Sequence, residues 1–230
     1  MNTVQTAERK QQIGLLGGTF DPVHKGHIAV AHHVLHTLGL DAIWFIPAAI
    51  PPHKFEHTDG GQITDFQDRV AMLKKALAPF DEFQINLIES ERTSPSYSIE
   101  TIIELQKRTA SNAEFFFIIG VDAFAEINTW KRYRELTDFV DLVIISRGVN
   151  DVESVEKIIR AEFLDYQKGP LENIWYSENH KGLLKLVPME PVPISSTMVR
   201  ERVREDSSFS EVVPSEVEEY IRTKKIYREN

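Results

Sequence analysis

Short apolar runs and helical apolar stripes alternate along most of the chain. Ile13-Gly14-Leu15-Leu16, Ala42-Ile43-Trp44-Phe45-Ile46, Phe83-Gln84-Ile85-Asn86-Leu87, Phe115-Phe116-Phe117-Ile118-Ile119 and 140–145 have the length and composition of strands. Between them apolar positions recur at the helical period, as at Ile28, Ala31, Val34, Leu35 and Leu38, and helices are predicted over 28–38, 65–78, 98–109 and about 122–136. Thr64 followed by Gln67 gives the second helix a capping-box signature. Further on, 152–164 has helical spacing, 167–182 reads as loop and 183–187 suits another strand. Two helical segments follow, 196–204 and 214–224, with Pro214 suited to a first turn where its missing N–H is not needed.

Strand alternating with helix means parallel strands covered on both faces. The predicted fold class is therefore α/β, a Rossmann-like doubly wound parallel sheet with a small C-terminal helical segment over 195–230. Residues 13–230 read as one domain behind a flexible segment, 1–12. Ligands of such sheets bind beyond the carboxyl ends of the strands, near the topological switch.

Composition narrows the function classes. With 230 residues and 42% hydrophobic content the chain can bury one sizeable core. A net charge of -9, spread along the chain, argues against nucleic acid as a partner. The absence of cysteine excludes disulfides and thiolate metal sites. No apolar run is long enough for a membrane span and 1–12 lacks an apolar h-region, so a soluble cytoplasmic protein without a membrane partner is expected.

The most informative residues are Gly17-Gly18-Thr19-Phe20-Asp21-Pro22-Val23-His24-Lys25-Gly26-His27, at the junction of the first strand and first helix. Backbone N–H groups are unpaired there and the helix dipole is positive, which favours an anion. Gly17 and Gly18 would let the backbone approach a phosphate, Thr19 adds a hydroxyl, and His24 and His27 share one helix face if the helix has begun by His24. Other readings exist for each piece. A diglycine after a strand is also an ordinary turn. Two histidines could ligate zinc given further ligands, but His32, His33 and His36 project away from the core stripe and read as solvated surface.

Two later segments carry similar alternatives. In Ile194-Ser195-Ser196-Thr197-Met198-Val199-Arg200 one hydroxyl can serve as an ordinary N-cap, or the three hydroxyls and the Arg200 fork can receive phosphate oxygens. Pro51-Pro52-His53-Lys54 is either a proline-stiffened loop with a surface lysine or part of a binding site.

The string from Gly17 to His27 closely resembles the nucleotidylyltransferase signature G-G-T-F-D-P-x-H-x-G-H, and Ile194 to Arg200 resembles the I-S-S-T-x-[IV]-R motif of the same superfamily. The resemblance implies that His24 and His27 bind triphosphate rather than metal, with Gly17, Gly18, Thr19, Phe20, Ser195, Ser196, Thr197 and Arg200 around them. Pro51 to Lys54 resembles a loop of a narrower group, the nicotinate-mononucleotide adenylyltransferases, where His53 and Lys54 would face phosphate. Glu91-Arg92 with Pro95-Ser96-Tyr97-Ser98 resembles that family's E-R-x-x-x-S-Y-T segment, with Ser98 in place of threonine. Ile118-Ile119-Gly120-Val121-Asp122 resembles I-I-G-A-D, which implies ribose contacts at Gly120 and Asp122. Trp130-Lys131 resembles the family's tryptophan segment, whose indole stacks on the pyridine ring and whose next backbone N–H meets the carboxylate. Residues 149–190 look longer than the family needs, and Arg147-Gly148 lacks its usual intervening proline.

The implied reaction joins ATP and nicotinate mononucleotide to give deamido-NAD (nicotinate adenine dinucleotide) and pyrophosphate in NAD biosynthesis. Magnesium would arrive with ATP, with no tightly bound organic cofactor and no resident metal site. Two alternatives stand beside it: the same chemistry on nicotinamide mononucleotide, or a non-catalytic nucleotide-binding sensor. Homo-oligomerisation is left open.

Overall fold

A computed structural model describes residues 9–51, 62–109, 112–146 and 151–228. Eight strands form one sheet in the order β3-β2-β1-β4-β5-β8-β7-β6. In chain order the elements are β1 (Gln11–Gly18), α1 (Lys25–Leu38), β2 (Ala42–Pro47), α2 (Phe66–Leu77), β3 (Phe83–Ile85), α3 (Ser98–Thr109), β4 (Ala113–Gly120), α4 (Val121–Ala125) and β5 (Asp141–Ser146). They continue with α5 (Asp151–Glu162), β6 (Gln167–Lys168), β7 (Ile174–Tyr176), β8 (Leu184–Pro188), α6 (Ser196–Arg204) and α7 (Ser215–Lys224). The six strands from β3 to β8 in that order pair in parallel, and β7 and β6 close the edge antiparallel. The chain is thus the α/β Rossmann-like sheet that the apolar rhythm predicts.

Strand alternation splits the core in two. On β4, Phe115, Phe117 and Ile119 enter one cluster with α3 and α5, while Phe116 and Ile118 enter the other with α1, α2, α6 and α7. Neighbouring side chains on a strand face opposite ways, so a fully apolar strand feeds both layers. The chain leaves β1 for β2 on one side and returns to β4 on the other, which opens a crevice between the carboxyl ends of β1 and β4.

Several boundaries differ from the sequence expectation, each for a local reason. β1 begins at Gln11, because Gln11 and Gln12 pair with Ala113 and Glu114, so the expected flexible segment gives up its last two residues to strand. Asp65, not Thr64, caps α2 by accepting from Gln67 N at 2.8 Å, and the Thr64 amide instead donates to Asp21. Pro214 is the N-cap of α7 rather than its first residue. The expected helix over 122–136 stops at Ala125 and gives way to two 3-10 turns, Ile127–Thr129 and Tyr133–Asp138. Thr129 bonds its hydroxyl back to Glu126 O at 2.8 Å, and Arg132 takes φ 52, which no α-helix accommodates. The expected loop over 167–182 holds the β6–β7 hairpin, with Trp175 buried in the core. Its apolar run is only three residues long, too short to stand out by period.

His32 and His33 are also not simply solvated. His32 is half-buried against the rings of Phe80 and Phe83, and the His33 ring meets Pro188 O at 2.7 Å. His36 is exposed. Among the described residues no helix is long and apolar enough to cross a membrane.

Candidate active site

A cleft of about 350 Å³ opens at the crevice between β1 and β4. Gly17, Gly18 and Thr19 line one side, Ile119 and Gly120 another, and Ser98, Trp130 and Lys131 a third. These residues come from β1 and its following turn, from β4, from the first turn of α3 and from the segment after the 3-10 turn Ile127–Thr129, and the parallel order of the sheet brings them together. Ser98 is the first residue of α3, so the positive end of that helix faces the cleft. Trp130 is there because the helix ahead of it breaks: its backbone is extended, at φ −80 and ψ 141, and its ring stands edge-on to Phe117 with centroids 6.2 Å apart. Lys131 crosses the Tyr97 ring at 4.4 Å and its Nζ pairs with Glu100 at 2.5 Å, so its charge is already partnered.

The turn after β1 is held by close packing and buried hydrogen bonds. Phe20 takes φ 51 and is 2% exposed; its ring packs edge-on to His27 at 5.0 Å and tilted on Phe45 at 5.7 Å. Its side chain is therefore core rather than a cleft contact. A Cβ on Gly18 would lie 3.1 Å from the Phe20 ring, so glycine there is set by packing as well as by access. Asp21 precedes a cis peptide to Pro22.

His24 is the N-cap of α1, one residue before the helix begins, and its ring stacks on His27 with centroids 3.7 Å apart. A Cβ on Gly26 would come within 2.9 Å of His24 Nδ1, which explains the glycine between the two histidines. The backbone N–H of His24 donates to His27 Nδ1 at 3.3 Å. In the neutral ring that places the proton on Nε2, as assigned from the hydrogen bond, and leaves an N–H donor. Burial, with repulsion from His24, pushes the His27 pKa well below the usual histidine value of 6.5.

The α6 motif is arranged differently from the sequence expectation of an open phosphate cradle. Ser195 caps the helix, accepting from Met198 N at 3.1 Å. Ser196 donates to Pro22 O at 2.9 Å, Arg200 Nη1 donates to Asp21 O at 2.8 Å, and Arg200 Nη2 meets Thr197 Oγ1 at 3.1 Å. Arg200 is 4% exposed. The motif thus reaches the turn after β1 through that turn's own carbonyls, and neither its residues Ser195, Ser196, Thr197 and Arg200 nor His24 and His27 line the 350 Å³ cleft. A smaller pocket of about 90 Å³ lies among His24, Gly26, Ile145, Ser146 and Ile194.

Asp122 is exposed in the first turn of α4 and does not line the cleft, whereas Gly120 does. His53 and Lys54 lie outside the described residues. Among the described residues no group of three or more His, Cys, Asp or Glu is arranged to hold a metal ion.

Sequence reasoning missed Arg69. It is 1% exposed, with Nη1 donating to Thr19 O at 2.7 Å and Nε to Thr64 O at 3.0 Å. Burial lowers its pKa, opposed by Asp21 and other acidic neighbours. No local signal distinguishes it, since an arginine in a first helical turn usually reads as solvated surface.

Comparison with known proteins agrees with this geometry. The cytidylyltransferase-like family pattern matches residues 15–202. The nicotinate-nucleotide adenylyltransferase of Bacillus subtilis is 32% identical over 217 residues, 94% of this chain and 98% of that protein. The "Probable nicotinate-nucleotide adenylyltransferase" of Halalkalibacterium halodurans is 37% identical over 221 residues, 96% of this chain and 93% of that protein. In fold, the chain matches the nicotinic acid mononucleotide adenylyltransferase of Plasmodium falciparum complexed with NaAD, with a TM-score of 0.69 at 18% identity, covering 94% and 97% of the two chains. With the strand-turn-helix signature in place at the crevice of the sheet, the chain belongs to the nicotinate-nucleotide adenylyltransferases of the cytidylyltransferase-like family.

Proposed function

We infer that this protein transfers the adenylyl group of ATP to nicotinate mononucleotide, giving deamido-NAD and pyrophosphate. The observation that carries this reading is the cleft itself. Gly17–Thr19 stand on one side for an anion, while an aromatic ring, a helix N-terminus and a hydroxyl stand on the other for a planar carboxylate-bearing ring.

In the reaction a phosphate oxygen of the mononucleotide attacks the α-phosphorus of ATP in line. One P–O bond forms, the bond to the bridging oxygen breaks, and pyrophosphate leaves with that electron pair. The attacking phosphate is already an anion at neutral pH, so the protein's task is positioning and charge stabilisation. The backbone at Gly17 and Gly18, the Thr19 hydroxyl, the His27 Nε2–H and His24 are assigned to the triphosphate. Arg200 and the Ser195–Thr197 turn are assigned to the same side, acting on it through the turn that they hold. Gly120 and Asp122 are assigned to ribose hydroxyls, Ser98, Trp130 and Lys131 to the pyridine carboxylate end, and His53 and Lys54 to phosphate.

Magnesium is proposed to enter with ATP, held by phosphate oxygens and water. The nearest motif carboxylate, Asp21, is already engaged by Tyr227 and Thr64, which fits an ion carried by the substrate.

Pyrophosphate release with ATP and nicotinate mononucleotide tests the reading, with nicotinamide mononucleotide in a parallel arm. A rate with the acid exceeding that with the amide is expected. Equal rates would remove the assignment of Ser98 and Lys131 to carboxylate selection, and no rate with either would leave a nucleotide-binding sensor.

A further inference from the structure

Asp21 lies inside the signature, yet its carboxylate is buried, 1% exposed, and faces protein on both oxygens. Oδ1 accepts the Tyr227 hydroxyl in a very short hydrogen bond, and Oδ2 accepts the Thr64 amide at 2.8 Å. The neighbouring carbonyls are held as well: Arg69 takes Thr19 O and Arg200 takes Asp21 O. Phe20, with its left-handed backbone, sits between these two fixed points. These four bonds on the turn after β1 come from Arg69 of α2, Arg200 of α6, Thr64 in the lead-in to α2 and Tyr227 in the tail beyond α7.

The tail contact is the least expected of these. After α7 the chain passes through Lys225 at φ 56 and Tyr227 at φ 66, conformations that L side chains rarely adopt. The turn delivers Ile226 and Tyr227 against the α1 side of the core. Packing alone does not need the hydroxyl, since phenylalanine has the same ring. Nor is the hydroxyl needed to tether α7, because Tyr220 already bonds Asp68 at 2.7 Å and α7 packs along α2. Burial and the adjacent Asp21 push the Tyr227 phenol well above its usual range, so it remains a proton donor at neutral pH.

We propose that Tyr227 is a positioning residue for nucleotidyl transfer: through Asp21 it fixes the turn that presents Gly17, Gly18, Thr19 and the two histidines to the triphosphate. This rests on the reading of that turn as the ATP side of the site. Without the hydroxyl, Asp21 loses the bond that ties it to the tail, and the turn is held by one fewer buried contact.

The test is steady-state kinetics of Tyr227→Phe, with thermal unfolding measured alongside. The expected result is a KM for ATP raised about threefold or more and a kcat lowered by about tenfold, with the KM for nicotinate mononucleotide unchanged. Asp21→Asn should give the same split, and the double variant should be no worse than the worse single one. A purely structural role would lower the unfolding temperature and the active fraction while leaving both KM values alone. That outcome, or an equal rise in both, overturns the proposal. If Tyr227→Phe does not fold, the split is read on Asp21→Asn, and unchanged KM values there overturn it equally. If the wild-type enzyme releases no pyrophosphate, the functional reading fails separately. The tail is then tested by calorimetric ATP affinity, which Tyr227→Phe must weaken by about threefold or more for the proposal to stand.

Discussion

The N-termini of α1 and α6 both carry polar donors within the family's motifs, and they use them differently. At α1 the strand-turn-helix junction lines the cleft with Gly17, Gly18 and Thr19, and the His27 ring keeps a proton on Nε2 because its Nδ1 is taken by the His24 amide. At α6 Ser195 accepts from the helix's own Met198 amide, while Ser196 donates to Pro22 O and Arg200 to Asp21 O. A run of hydroxyls followed by an arginine one turn later looks the same in sequence whether it receives a phosphate or braces the loop that does. Here Ser196 and Arg200 bond carbonyls of the neighbouring turn.

Four outcomes would break or sharpen that contrast. The largest effect is expected at α1, where His27→Ala should lower kcat at saturating ATP by about 10²-fold, as loss of a preorganised donor does. An unchanged kcat would end its assignment to the transition state. Arg200→Ala should cost about 2 kcal/mol in a urea titration, because it takes a charged donor from a buried carbonyl, and should lower turnover as the turn loosens. Wild-type stability in that variant would mean that α6 is not a brace. Ser196→Ala, losing one neutral bond to Pro22 O, should cost about 1 kcal/mol with both KM values within about twofold of wild type; a large rise in the KM for ATP would return Ser196 to the ligand.

The smallest effect concerns pH. The His27 pKa is depressed in the folded state, so the unfolded chain takes up its proton first as pH falls. His27 therefore contributes stability that is full above about 6.5 and declines as pH drops from there toward the lowered folded value. Unfolding temperatures between pH 7 and 5 should fall less steeply for His27→Asn than for wild type, and parallel slopes would contradict the lowered His27 pKa.

Much of the fold was legible because the strands are long apolar runs and the helices have clean stripes, as along Ile28 to Leu38. Elements ruled by short or tertiary signals were not. The hairpin around Trp175 offers three residues of pattern, and the break after Ala125 depends on Thr129 and Arg132, whose backbone choices no periodicity records. Within the site, the residues of the signature were legible, but their partners Arg69 and Tyr227 were not. Each is distant in sequence and ordinary in type, and only the packing of α2 and the tail against the turn reveals them. The helical-face expectation for His24 and His27 likewise gave way to a cap stacked on a first-turn ring, because Gly26 allows that approach.

The bond between Tyr227 and Asp21 spans 206 positions in sequence. On the ribosome, which releases the chain from its N-terminus onward, β1 and β2 can pair long before the residue that locks the turn between β1 and α1 has been made. A nascent chain lacking the tail would carry the whole signature and yet hold it loosely. Competence to bind nucleotide would then wait for Tyr227, about 200 residues after the signature itself has emerged.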